Sequence, residues 1–182
     1  GAVLPAIKVY NSRDVDELIL VDITASQDGH DPYHDSVKDF SEECAVPLTV
    51  GGGITSLDQI VSLLHAGADK IAINTAAYSN PALIEAAAGR FGAQCVVASI
   101  DARRFEDGRY GCFSHSATVD PGRDPVEWAK ELAERGAGEI LLTSIDLDGT
   151  MLGYDLDLVE RVVRAVDVTV IASGGAGNYQ HM

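Results

Sequence analysis

Positive charge, aromatic rings and long apolar runs are all scarce in this sequence. Its 182 residues carry 13 Lys and Arg against 28 Asp and Glu, a formal net charge of −15. Such a balance repels nucleic acid and anionic membranes, so a basic binding face is excluded, and any phosphate ligand must be held locally by backbone dipoles. No apolar run reaches the roughly 18–20 residues of a membrane-spanning helix. Cysteine occurs only at Cys44, Cys95 and Cys112, with no CxxC spacing. That odd, scattered set reads as reduced thiols of a cytosolic protein, with no disulfide framework and no zinc site. No GxGxxG follows the first strand-like segment, and no acidic residue stands where it grips a ribose, which argues against an open dinucleotide-binding sheet.

What is present is an ordinary globular composition, 46% hydrophobic with a mean hydropathy of +0.06, in a length that suits one domain. Strand-like and helix-like segments alternate. Strands are predicted over 18–23, 48–50, 70–74, 95–100, 140–145 and 168–172. Helices are predicted over 3–10, 35–44, 57–66, 81–91, 125–135 and 156–165, with Asn80 capping the fourth and Pro81 in its first position. The strands are continuous Val/Ile/Leu/Ala runs, as in a covered parallel sheet, and the rhythm is that of β/α units. Residues 102–124 break it. They are long and polar, and Glu106-Asp107-Gly108-Arg109 has the character of a hairpin turn, so this stretch is either a functional cover or a structural excursion.

Two echoes divide the chain into related halves. Leu48-Thr49-Val50-Gly51-Gly52-Gly53 returns as Val170-Ile171-Ala172-Ser173-Gly174-Gly175, and 17–24 returns as 139–146 at nearly the same spacing. A glycine turn after a buried strand lets backbone N–H groups approach a ligand closely, as phosphate sites require. Six strands fall short of the eight of a closed (β/α)8 barrel, which typically takes about 250 residues. The chain therefore reads as a single incomplete (β/α)8 barrel domain, about strands 2 to 7, with half-barrel duplication.

In parallel α/β folds the site lies at the carboxyl ends of the strands. Those ends carry Asp22 and Thr24, Gly51 to Gly53, Asn74 and Thr75, Asp101, Thr143 with Asp146 and Asp148, and Ser173 to Gly175. Asp101 closes the apolar run Val96-Val97-Ala98-Ser99-Ile100, where a carboxylate needs a purpose or a partner; a helix cap or an ion pair with Arg103 or Arg104 is the structural alternative. Residues 146–150 place oxygens at alternate positions, yet the stretch is too short for a calcium loop and lacks its closing Glu, so a phosphate-contacting turn at Gly149-Thr150 is the more economical reading. Ser114-His115 does not suggest a hydrolase triad, because adjacent residues do not supply that geometry, and all five histidines read as surface or loop residues. Trp128 reads as helix packing.

The motifs 21–26, 49–54, 73–77, 100–103, 138–146 and 171–177, taken in order across the whole chain, resemble the cyclase (synthase) subunit of imidazole glycerol phosphate synthase. The resemblance implies a (β/α)8 barrel with half-barrel duplication, no cofactor and no metal. It implies a substrate with a phosphate at each end, attacked by ammonia from a glutamine amidotransferase (glutaminase) subunit in a heterodimer. Two aspartates serve as general acid and base: Asp101 matches one, and the other belongs to a first strand upstream of Gly1. Gly53, Asn74 and Thr75 correspond to one phosphate site. Thr143, Gly149, Ser173 and Gly175 correspond to the other, with Asp22 and Asp148 lining the space between. Glu17, Lys70 and Glu139 match three members of a charged ammonia gate at the opposite face, the fourth being an arginine on the first strand. The opening 6–17 departs from the histidine enzyme. It and 149–156 look more like a paralogous barrel that works with an amidotransferase on amidino sugars of surface polysaccharides. The sister isomerase barrel and a non-catalytic docking subunit are the remaining alternatives. Against the isomerase, Asn74 stands where that enzyme usually has glycine.

Overall fold

The computed structural model describes residues 3–13, 15–22 and 34–181. The elements run α1 (Val3–Asn11), β1 (Leu18–Val21), α2 (His34–Glu43), β2 (Leu48–Gly51), α3 (Leu57–His65), β3 (Lys70–Ile73), α4 (Thr75–Ser79), α5 (Ala82–Phe91), β4 (Val96–Arg104), β5 (Tyr110–Phe113), α6 (Pro125–Glu134), β6 (Glu139–Ser144), α7 (Leu156–Val163) and β7 (Thr169–Ser173), with short 3₁₀ turns at Ala93–Cys95 and Tyr179–His181. Ile23, Thr24 and His30 lie outside the described residues.

Six strands pair in parallel in the order β1-β2-β3-β4-β6-β7, while β5 folds back antiparallel on β4. The helices start where local chemistry dictates. Ser56 and Gln59 form a reciprocal capping box on α3, and the Asp124 carboxylate accepts from the Val126 and Glu127 N–H groups ahead of α6, with Pro125 in its first turn.

The main core lies on one face of the sheet. Helix residues Val37, Ile60, Leu63, Ile84, Trp128, Leu132, Leu158 and Val162 pack there with strand residues such as Leu48, Ile71, Val96, Ile100, Ile140 and Leu142. The opposite face holds a small cluster made of strand residues alone: Ala72, Val97 and Leu141, with Ile19 and Ile171 against it. A doubly wound sheet carries helices on both faces; a sheet with helices on one face and strands facing strands on the other is a barrel wall. The fold is a partial (β/α)8 barrel.

The expected strands are found within a residue or two of their predicted bounds, apart from β4. It continues through Asp101 to Arg104 because the hairpin at 105–109 returns β5 alongside it, pairing Asp101 with Phe113 and Arg104 with Tyr110. Two expectations need correcting. A short helix, α4, precedes the fourth predicted one. Asn80 closes α4, with its N–H on the Ala76 carbonyl, and Pro81 takes the N-cap of α5 with no side-chain cap bond.

Candidate active site

Side chains alternate across each strand, so residues two apart share the helix-free face. Its apolar centre at Ile19, Ala72, Val97, Leu141 and Ile171 separates two polar ends. Toward the strand starts stand Glu17, Thr49, Lys70 and Glu139. Toward the strand ends stand Asn74, Ser99, Asp101, Thr143 and Ser173.

At the strand-start end, Lys70 Nζ lies 2.8 Å from Glu17 Oε2 and 2.8 Å from Glu139 Oε1. Burial opposes the charge on Lys70, but hydrogen bonds to Glu139 and Glu17 outweigh it and hold its pKa above the usual value. The two carboxylates are not equivalent. Glu17 Oε1 also accepts from Thr49 Oγ1 at 2.5 Å, whereas Glu139 Oε2 is buried without a hydrogen-bond partner among the described residues. The three residues expected at a charged gate are therefore joined in one cluster.

At the strand-end side lies a cavity of about 910 Å³, whose lining includes Asp22, Gly53, Asn74, Thr75, Asp101, Thr143, Asp148 and Ser173. Eight of the ten predicted catalytic and substrate-binding residues thus share one space. Gly149, in an exposed turn, and Gly175 lie outside that lining. Gly175 has φ 98°, and a Cβ there would collide with the Gly153 carbonyl oxygen, so its place is fixed by backbone packing beside the mouth.

Asp101 sits in a fork of the sheet. One edge of β4 pairs with β3 through Val96–Ala98 and then with β5 from Asp101 onward. β3 ends at Ile73, and the next residue, Asn74, reaches into the gap, where its Nδ2 donates to Asp101 Oδ2 at 2.8 Å. Asn74, expected at a phosphate, is thus the partner of the candidate catalytic carboxylate. Its Oδ1 is buried and unpartnered among the described residues. Asp101 does not cap a helix or pair with the nearby arginines. Asp146 takes that role, with Oδ1 3.4 Å from Arg103 Nε and Oδ2 accepting the Arg104 N–H at 3.0 Å. Burial raises the Asp101 pKa above 3.8, the Asn74 hydrogen bond pulls it back, the charge of Asp148 raises it, and a bond from Thr143 lowers it; the net direction is upward.

The loop after β5, within the stretch read as either a functional cover or an excursion, also reaches the cavity. His115, Ser116 and Ala117 line it; His115 is exposed and in a loop, as expected, but its place at the cavity went unread. All three have positive φ, at 50°, 54° and 66°, which costs non-glycine residues roughly 1–2 kcal/mol each. The turn folds the ring back so that His115 Nδ1 lies 3.0 Å from Ser114 Oγ. Adjacent residues do bond here, although no triad follows. A run of non-glycine residues in left-handed conformation leaves no compositional mark. Trp128 is buried and stacks on Tyr78 with ring centroids 5.0 Å apart, as helix packing requires.

A cavity at the strand ends, a hydrogen-bonded, half-buried carboxylate in its wall and matched glycine corners beside it have the form of a barrel-enzyme site. A family model described as Histidine biosynthesis protein matches residues 1–182, the whole chain, and the protein belongs to that family.

Proposed function

We propose that the protein is the ammonia-dependent cyclase/lyase of its family. In this reading it converts phosphoribulosyl formimino aminoimidazole carboxamide ribotide into imidazole glycerol phosphate and aminoimidazole carboxamide ribotide, working with a glutaminase subunit. The observation that carries the reading is the polarity of the helix-free face at both ends: Asp101 at the strand ends, and Glu17–Lys70–Glu139 at the strand starts with an apolar stretch between. A mouth alone serves an isomerase. A partly buried charged cluster at the far end of the same face is costly and has no use in an isomerisation, but it suits a gate for a small polar nucleophile.

At the mouth, Asp101 supplies a carboxyl group whose pKa burial raises above the usual carboxylate value, which favours its holding and returning a proton. It can protonate a leaving nitrogen and take a proton from the attacking amine. Asn74 fixes which oxygen faces the substrate. Thr75 and the Gly53 turn take one phosphate, while Ser173 and the Gly174-Gly175 turn take the other through backbone and hydroxyl donors.

The test is Asp101→Asn in the protein assayed with saturating ammonium. We expect kcat to fall at least about 10²-fold, with KM changed far less. Wild-type turnover in that variant overturns the acid–base role. Its stability moves the other way. Since the folded-state pKa of Asp101 is raised, the native state holds the proton more tightly than the unfolded chain, and ionising the buried group destabilises the fold as pH rises from 3.8 through the folded value. The variant is expected to melt higher than wild type at pH 7, with the gap closing as pH approaches 3.8.

A further inference from the structure

Among the described residues that line the cavity, three carry carboxylates (Asp22, Asp101 and Asp148), none is a lysine or arginine, and one, His115, can become a cation. A ligand with two phosphate groups entering a space with three acidic side chains meets a strong electrostatic penalty, and a cationic donor at either phosphate offsets it. We propose that His115 is a substrate-binding residue that holds the phosphate at the Thr75 corner; the inference rests on the bisphosphate reading above.

Three features place it there. The His115 N–H donates to Thr75 Oγ1 at 3.1 Å, which ties the loop after β5 to the end of β3 and leaves the Thr75 hydroxyl proton for an outward donor bond. Ser114 Oγ occupies Nδ1, so Nε2 is the ring nitrogen left for a ligand. The left-handed turn is held from within: Ser114 N–H donates to the Val119 carbonyl at 2.8 Å, and Thr118 Oγ1 donates to the His115 carbonyl at 2.7 Å. Three strained residues beside a cavity, over-determined by such bonds, are what a fixed ligand contact requires.

His115→Asn tests this, because Asn tolerates the left-handed conformation while removing the ring. Binding of the two products, each with one phosphate, is measured by calorimetry, alongside KM and kcat for the bisphosphate. We expect the variant to bind one product about 10- to 100-fold more weakly and the other as wild type does, with KM raised and kcat kept within about twofold. Unchanged affinity for both products overturns the inference while the reading stands. Equal weakening of both also overturns it, since that marks general damage to the mouth. If the wild-type protein itself binds neither product, the bisphosphate reading falls and the inference falls with it.

Discussion

The β1–β2 pair and the β6–β7 pair are the same construction twice. Leu18 pairs with Leu48 and Val21 with Gly51; 122 positions later Ile140 pairs with Val170 and Thr143 with Ser173. Gly52 has φ 103°, and a Cβ there would collide with the Asp22 carbonyl oxygen; Gly174, at the equivalent place, has φ 89° and would meet the Ser144 carbonyl oxygen at 2.6 Å. The backbones are matched, but the side chains at the strand starts are not. Glu17 is held by Lys70 and by Thr49, while Glu139 has, among the described residues, only Lys70, the counterpart of Thr49 being Ile171. Duplication has preserved the glycine corners beside the mouth, while the charged end has diverged. The corners are bound by backbone geometry that admits no alternative residue, whereas a buried carboxylate can be satisfied in several ways.

Breaking both corners gives the largest expected effect. Gly52→Ala and Gly174→Ala each add a left-handed penalty and a backbone collision, and each is expected to cost about 2–4 kcal/mol in urea unfolding. A clear inequality between the two would show that the corners are only superficially alike. A smaller effect tests the divergence. Thr49→Val makes the first half resemble the second and leaves Glu17 Oε1 short of a donor, at an expected cost of about 1–2 kcal/mol. The smallest effect comes from the converse change. Ile171→Thr offers Glu139 a hydroxyl and is expected to stay within about 1 kcal/mol of wild type, whereas Ile171→Ala, which removes apolar surface and adds nothing, costs about 2 kcal/mol. Equal losses from the two Ile171 variants would mean that the new hydroxyl does not reach the carboxylate.

How far such features could be read from the sequence depended on how local they are. The strand positions were legible because parallel strands leave unbroken Val/Ile/Leu runs, and Asp101 was legible because a carboxylate closing such a run is conspicuous. The partner of Asp101 was not, since Asn74 meets it only through the termination of β3 and the fork with β5. The extension of β4 was hidden for the same reason: Ala102-Arg103-Arg104 is polar and becomes strand only because the hairpin supplies a neighbour. His115 stayed invisible because its left-handed backbone is imposed by bonds to Val119 and Thr75. The charged trio was legible as positions at strand starts, but its asymmetry needed the side-chain distances.

The fork in the sheet has a consequence for cooperativity. At Asp101 β4 is paired on both sides: with β6 through Thr143 and with β5 through Phe113. Displacing Asp101 therefore means breaking two ladders at once, so its position should open only with global unfolding rather than with local breathing. The carboxylate is the datum of the mouth, and retuning the site falls to the residues around it.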